Sequence, residues 1–271
     1  MSLSKVRLVV TDMDGTLLNS QHNISPLFFK QFKKLIYNDI IFVVASGRPL
    51  YGMLDKLETI KNDLIFVAEN GGLVIKGNQT LISNPIKKDN LSVIIEALEK
   101  ANNIHPIFCT RDKAYVMSTS KPLLHLLSEY YSNYKIINSE DEIEEEVYKV
   151  AIYHPENSEK HIYPFVKHLE KNFKVKLSAV NWIDISEQVA NKGTAIKYLQ
   201  NKYNISKLET LAFGDYNNDI EMLESAYFSY AMENAHPLVK SVARFRTKSN
   251  NNFGVEHILS ELLNEKEKAY K

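Results

Sequence analysis

The sequence predicts an α/β protein in which a core built on a parallel sheet is interrupted by a smaller inserted α+β domain. Three observations carry that expectation. Short β-branched runs alternate with helical patterns toward both ends of the chain; the runs at 6–10, 40–46, 64–68 and 210–214 are almost unbroken apolar stretches; and the alternation is lost between about 84 and 186. Nearly continuous apolar strands are buried on both faces, as in a parallel sheet covered by helices, whereas a half-exposed antiparallel strand reads apolar and polar in turn.

Taken in order, VRLVV at 6–10 gives a strand, 26–37 a helix, IIFVVAS at 40–46 a strand, 51–60 a helix and LIFVA at 64–68 a strand. The segment NGGLVIKGNQTLIS then reads as two short strands about a Gly-Asn turn, a hairpin pattern. From 84 to 186 the pattern gives a helix at 90–102, strands at 104–109 and 114–118, a helix at 122–131, a strand at 147–153, a helix at 158–172, and strands at 174–179 and 182–185. Paired strands with helices set apart fit an α+β module better than a doubly wound sheet. The earlier alternation resumes at Lys192 with a helix to 203, a strand at 210–214, a helix from 218, a strand in AYFSYAM at 226–232 and a closing helix at 255–263. One core made of residues 1–83 and 187–271 thus carries an insert of 84–186, reached through linkers near Ser83 and Glu187.

Composition excludes several classes of function. A chain of 271 residues with 44% hydrophobic content can bury one large core or two moderate ones. Its 33 basic and 33 acidic side chains cancel to a formal charge of zero. No global field then draws it to a polyanion or an anionic membrane, so neither nucleic acid nor a membrane is an expected partner. The single cysteine, Cys109 in IHPIFCT, can form neither an intrachain disulfide nor a Cys-based zinc site, and reads as buried apolar filler. The acidic run EDEIEEE at 140–146 reads as a solvated loop or helix start. MSLSK leads into the first strand without the long apolar stretch of a signal peptide, so a cytoplasmic protein, monomeric or weakly dimeric, is expected.

Four segments carry chemistry. VRLVV runs into TDMDGTLL, so Asp12 and Asp14 emerge at the carboxyl end of a strand, where open α/β sheets bind ligands. Two acids that close repel unless a cation lies beside them, and a hard cation such as Mg²⁺ takes a few carboxylate oxygens plus waters and phosphate oxygens. ASGRP places Ser46 and Gly47 after a second apolar strand, where a hydroxyl and backbone N–H groups can hold a phosphate oxygen. Lys192 in ANKGTAIKYL stands at a helix entry, able to neutralise phosphate charge. LAFGDYNNDIEML supplies Asp215 to complete a metal's ligand set, Asn218 to donate to phosphate, and Asp219, which binds the metal directly or through water or else orients Lys192.

In that order and placement, DMDGTL, SGR, the NKG lysine and GDYNND resemble the four motifs of the haloacid dehalogenase-like phosphatases, in particular the Cof-type, subclass IIB members, and AENGG at 68–72 is similar to their third-strand signature. The resemblance spans roughly 8–254 and implies a Rossmann-like core, a cap in the position of the insert, Mg²⁺, and a small phosphorylated metabolite as substrate, most often a sugar phosphate. It gives Asp12 the part of nucleophile, Asp14 that of acid and base, and metal contacts to Asp12, Asp14, Asp215 and Asp219, with Asp14 using its backbone carbonyl. Met13, Ser46, Gly47, Arg48, Asn70 and Asn218 then fall around substrate and phosphate. Arg48 either touches substrate or pairs with a neighbouring carboxylate, and Thr16 is expected to bond within its loop and keep the two acids apart.

The residues also support the step itself. Attack by Asp12 splits one difficult displacement into two easier ones through an aspartyl-phosphate. Asp14 protonates the leaving alkoxide and later deprotonates water. His105, Arg111, His125, Tyr153 and Trp182 are the candidates for a cap-side contribution. A phosphomannomutase-like phosphotransferase shares the first step and returns the phosphoryl group to a sugar, while a non-catalytic phospho-ligand module has no need of a nucleophile beside an acid–base group. Halide-releasing dehalogenation fits poorly with two aspartates and a magnesium set.

Overall fold

The computed structural model describes residues 1–117 and 120–269. The first three strands are buried, apart from half-buried Ile41: β1 (Leu8–Asp12), β2 (Ile41–Ala45) and β3 (Leu64–Ala68) pair in parallel. β4 (Leu73–Lys76) and β5 (Gln79–Ser83) form the expected hairpin and extend the sheet antiparallel to β3. Helix α1 (Pro26–Tyr37) starts where Ser25 accepts the Phe28 N–H and a proline takes the first turn. It buries Phe28, Phe32 and Leu35, with Phe28 and Phe32 packed edge-on to Phe42 of β2. The helix expected over 51–60 divides into α2 (Leu50–Lys56) and a 3₁₀ segment (Glu58–Asp63), because Leu57 leaves helical geometry.

The chain then builds a second sheet. Helices α3 (Lys88–Leu98) and α4 (Lys121–Tyr130) accompany β6 (His105–Cys109), β7 (Ala114–Val116), β8 (Tyr134–Ile136), β9 (Lys149–Tyr153), β10 (Phe173–Ala179) and β11 (Trp182–Glu187). Their order is β10-β11-β9-β6-β7-β8, antiparallel except for the parallel β7–β8 pair. Ser118, the expected end of β7, lies outside the described residues. The helix expected over 158–172 is broken into α5 (Ser158–His161), α6 (Tyr163–Val166) and a 3₁₀ stretch (Lys167–Lys171). Pro164 lacks the N–H and its ring clashes with a carbonyl one turn back, so an uninterrupted helix cannot pass it. The acidic run opens in a capped 3₁₀ turn (Glu140–Glu142), but Glu145 turns inward to Thr110, Lys113 and Tyr115.

The last third returns to the first sheet with α7 (Lys192–Tyr203), β12 (Thr210–Gly214), α8 (Ile220–Glu224), β13 (Phe228–Ala231), α9 (Pro237–Val242), β14 (Phe245–Arg246) and α10 (Gly254–Ala269). The complete order is β14-β13-β12-β1-β2-β3-β4-β5, parallel from β14 to β3. β1 therefore sits between strands from opposite ends of the chain. Cys109 is buried, and among the described residues no helix is long and apolar enough to cross a membrane.

Candidate active site

Register brings the motif residues together. Asp12 ends β1 directly beside Ala45 of β2, while Thr11 stands beside Phe213 of β12. Parallel strands that stop in step deliver Asp12, Ser46 and Asp215 to one carboxyl edge of the sheet. Lys192 opens α7, whose preceding residue Asn191 caps it by accepting the Thr194 N–H.

A fully buried lysine holds two carboxylates. Lys192 Nζ donates to Asp12 Oδ1 at 2.5 Å and to Asp219 Oδ1 at 2.7 Å, and both Lys192 and Asp219 are 0% exposed. Burial alone would strip the proton from such an ammonium, but the charges and hydrogen bonds of Asp12 and Asp219 outweigh it and raise the lysine above its ordinary range. The other oxygen of Asp219 accepts the backbone N–H groups of Asp215 and Tyr216 at 2.9 and 3.1 Å. Both oxygens of Asp219 are thus hydrogen-bonded. Burial pushes the Asp12 carboxyl well up against the pull of Lys192, with Asp219 and Asp215 adding repulsion. It also pushes Asp215 up to about 7, helped by the Asp219 charge.

Carboxylate oxygens of Asp12, Asp215 and Asp219 all lie within 4.8 Å of one another. Three acids with a single lysine among them leave negative charge uncompensated, which suits a hard divalent cation. Gly15 gives Asp215 its room: at φ +76° it has no side chain, and a Cβ there would fall 2.3 Å from Asp215 Oδ2. Thr16 donates to Asp215 Oδ1 at 3.1 Å instead of holding Asp12 and Asp14 apart. The reason is the turn at Gly15, which carries Thr16 toward β12.

Asp14 points elsewhere. Arg48 grips its carboxylate in a two-pronged pair, Nε to Oδ2 and Nη2 to Oδ1, both at 2.6 Å. Burial would raise that carboxyl, yet the Arg48 hydrogen bonds and charge prevail and hold it below the usual range. Of the two roles open to Arg48, this structure displays the carboxylate pair. The Ser46–Arg48 loop is clipped from below: Asn70 N–H donates to the Ser46 carbonyl and Glu69 N–H to the Arg48 carbonyl, while Asn218 Nδ2 donates to Asn70 Oδ1 at 2.9 Å. Glu69, Asn70 and Gly71 all have positive φ, at 49°, 54° and 99°. For the two non-glycine residues this costs about 1 kcal/mol or more apiece, so the surrounding contacts must hold them there. Gly71 is obligatory because a Cβ would meet the Asn191 carbonyl at 2.4 Å.

A cavity of about 490 Å³ opens above this edge. Asp12, Asp14, Ser46, Gly47, Arg48, Asn70, Asp215 and Asn218 line its floor. Lys192 and Asp219 stand behind that lining, and the Met13 side chain is buried in the core, so any contact Met13 makes with a ligand falls to its backbone. The opposite wall comes from the second sheet and includes Tyr131, Lys149, Trp182 and Asp184. Of the five cap-side candidates, Trp182 alone is in the lining; Tyr153 packs against it at 5.0 Å and His105 against Tyr153 at 6.2 Å. Arg111 bonds to Thr80, and His125 is exposed. Sequence reasoning missed Lys149 and Asp184, although a lysine opening the otherwise apolar strand KVAIY was a usable signal, since a charge on a buried strand needs a partner.

Comparison with known proteins gives the family. The family model described as haloacid dehalogenase-like hydrolase matches residues 9–259. The chain is 30% identical over 261 residues to the 5-amino-6-(5-phospho-D-ribitylamino)uracil phosphatase YbjI of Escherichia coli, covering 95% of this chain and 96% of that protein. The crystal structure of SMU.1108c from Streptococcus mutans superposes with a TM-score of 0.87 at 31% identity, covering 96% and 99% of the two chains. The subclass IIB sugar phosphatase BT4131 shares the fold, with a TM-score of 0.81 at 19% identity over 94% and 98% of the chains. With the family model spanning 9–259 and the relative covering 95% of the chain, the chain belongs to the haloacid dehalogenase-like hydrolase family and is a phosphatase of that family.

Proposed function

We propose that this phosphatase is Mg²⁺-dependent and hydrolyses small phosphorylated metabolites, sugar phosphates foremost, through an aspartyl-phosphate on Asp12. The observation that carries the reading is the buried Lys192 gripping Asp12 at the floor of a cavity shared by two sheets. Residues 1–83 and 187–271 supply the chemistry in this reading, and 84–186 close over it as a cap. Asp12 and Asp215 would hold the cation, Asp219 would direct Lys192, and Asp14 would reach the cation only through its backbone carbonyl. When bound, the cation supplies charge neutralisation for the phosphoryl oxygens and for the crowded acids.

The chain's own groups do the rest. Asp12 Oδ2, the oxygen not engaged by Lys192, attacks the phosphorus, and the Lys192 ammonium stabilises charge as it develops. The Ser46 hydroxyl, whose oxygen accepts the Arg48 N–H, donates to a phosphoryl oxygen. Asp14 in its Arg48 clamp is ionised and ready to take a proton from water. For the preceding step it must carry a proton, and the arriving phosphate supplies the cause: its negative charge raises the Asp14 carboxyl and competes for Arg48.

Purified protein is expected to release phosphate from p-nitrophenyl phosphate with Mg²⁺ and to stop when EDTA removes the metal; unchanged release in EDTA would reject the metal requirement. A screen over sugar phosphates, nucleotides and cofactor phosphates then identifies the substrate. Trp182 on the wall and the named activity of the Escherichia coli relative put ribitylaminopyrimidine phosphates in that screen beside hexose phosphates. Hexose 1-phosphates also separate hydrolysis, which frees phosphate, from transfer, which returns an isomeric sugar phosphate.

Cation binding is also expected to depend on pH through Asp215. Its carboxyl, raised to about 7, is protonated below that value and offers no ligand; above it the ionised form is free to bind. In metal-free protein the same shift works the other way. The folded state holds this proton more tightly than the unfolded, so the stability Asp215 contributes falls as pH rises from its ordinary value toward about 7. Saturating Mg²⁺ should therefore raise the thermal midpoint more at about pH 8 than at about pH 6. An equal rise at both would remove Asp215 from the cation site.

A further inference from the structure

We propose that Lys149, carried on the inserted segment, is a positioning residue that fixes the Gly47–Arg48 peptide of the phosphate-holding loop. The proposal rests on the reading of Ser46–Arg48 as the phosphate cradle and adds what holds that cradle in shape. Lys149 opens β9 in the second sheet, and its side chain is 5% exposed. Its ammonium donates to the Gly47 carbonyl at 2.8 Å, lies 2.8 Å from Glu69 Oε2, and has Asp184 Oδ2 3.8 Å away. Of these contacts the Gly47 carbonyl accepts a hydrogen bond, while Glu69 and Asp184 are ion-pair neighbours that keep the ammonium at this place.

The pattern of carbonyls in the loop makes the case. The Ser46 carbonyl is fixed by the Asn70 N–H and the Arg48 carbonyl by the Glu69 N–H, both main-chain contacts within the first sheet's own loops. The Gly47 carbonyl between them is held by a lysine from the other sheet. In a trans peptide the C=O and the next N–H point in opposite directions. Holding the Gly47 oxygen on one side therefore aims the Arg48 N–H to the other, where it already donates to Ser46 Oγ at 3.0 Å. Glycine offers little resistance to rotation of this peptide. Without Lys149 the peptide can turn over and present a carbonyl oxygen, which repels phosphate, where a donor is needed. Burial of the lysine opposes its charge, but Asp184 and Glu69 hold the proton on.

Removing the lysine should weaken phosphate recognition more than chemistry. In the full chain with Mg²⁺, Lys149→Met is expected to raise the dissociation constant for inorganic phosphate and the KM for p-nitrophenyl phosphate about tenfold, with kcat changing by less than about threefold. Glu69→Gln keeps the Gly47 contact and should bind phosphate as the parent does. The double variant Lys149→Met, Glu69→Gln removes the buried charge left behind by the single change, so it guards against a folding defect, yet it should bind phosphate as poorly as Lys149→Met. Restored binding in the double variant would show that only the ion pair mattered, and would overturn the proposal. Hydrogen exchange on the parent needs no variant: inorganic phosphate should slow exchange at 46–48 and also at 147–151, and slowing confined to 46–48 would equally overturn it. If the parent itself fails to bind phosphate, the cradle reading fails; parent binding with an unaltered Lys149→Met variant defeats this inference alone.

Discussion

Asp12→Asn is expected to keep its fold and lose turnover, with kcat lower by about four orders of magnitude or more. The amide cannot form the aspartyl-phosphate, and the neighbouring carboxylates are not free to take over: Asp219 is tied to Lys192 and two backbone N–H groups, and Asp14 to Arg48. Stability should survive because the substitution removes one of three crowded acids. Burial, the largest influence on the Asp12 carboxyl, already disfavours its charge, so a neutral side chain is tolerated there, and Lys192 keeps Asp219 as its partner. Phosphate release measured beside thermal unfolding decides the matter. Activity within about a hundredfold of the parent would remove Asp12 as nucleophile.

Lys192→Met strikes both activity and stability. The ammonium is buried against Asp12 and Asp219, and breaking a buried ion pair from one side costs about 3–5 kcal/mol because charge is left uncompensated. At about 2–4 °C per kcal/mol for a chain approaching this size, the midpoint of the metal-free variant should fall by roughly 6–20 °C. Mg²⁺ should restore part of the loss by replacing the missing positive charge, while turnover stays low because a fixed cation no longer orients Asp12. The deficit should also shrink as pH falls and the acids take up protons. A midpoint within about 2 °C of the parent in EDTA would mean that the lysine does not compensate the acids.

Much of this was legible in the residues, and the limits have physical causes. Runs such as LVV at 8–10 and FVVA at 42–45 announce themselves because a strand buried on both faces is largely apolar. Their register follows from parallel pairing, so acids at or one step past the strand ends had to share an edge. Short peripheral elements escaped notice: β8, α9 and β14 are too brief for periodicity to mark them, and they exist because neighbours pair with them or cover them. Pro164, by contrast, was visible and should have broken the helix expected over 158–172. Thr16 went astray because a φ of +76° at Gly15 decides which way the next side chain turns, and spacing along the chain cannot show that. Lys149 lay hidden for a different reason, since its partners Gly47 and Glu69 come from a part of the sequence about a hundred residues earlier.

The position of β1 between β2 and β12 has a consequence for biosynthesis. In a nascent polypeptide Asp12 is made well before its neighbour strand on one side, which starts at residue 210, and Asp219 follows nine residues after that. Until then one flank of β1 is a bare row of hydrogen-bonding groups, open to mispairing with other chains. A fragment cut before that point lacks Asp215 and Asp219, two of the three acids that cluster at the sheet edge.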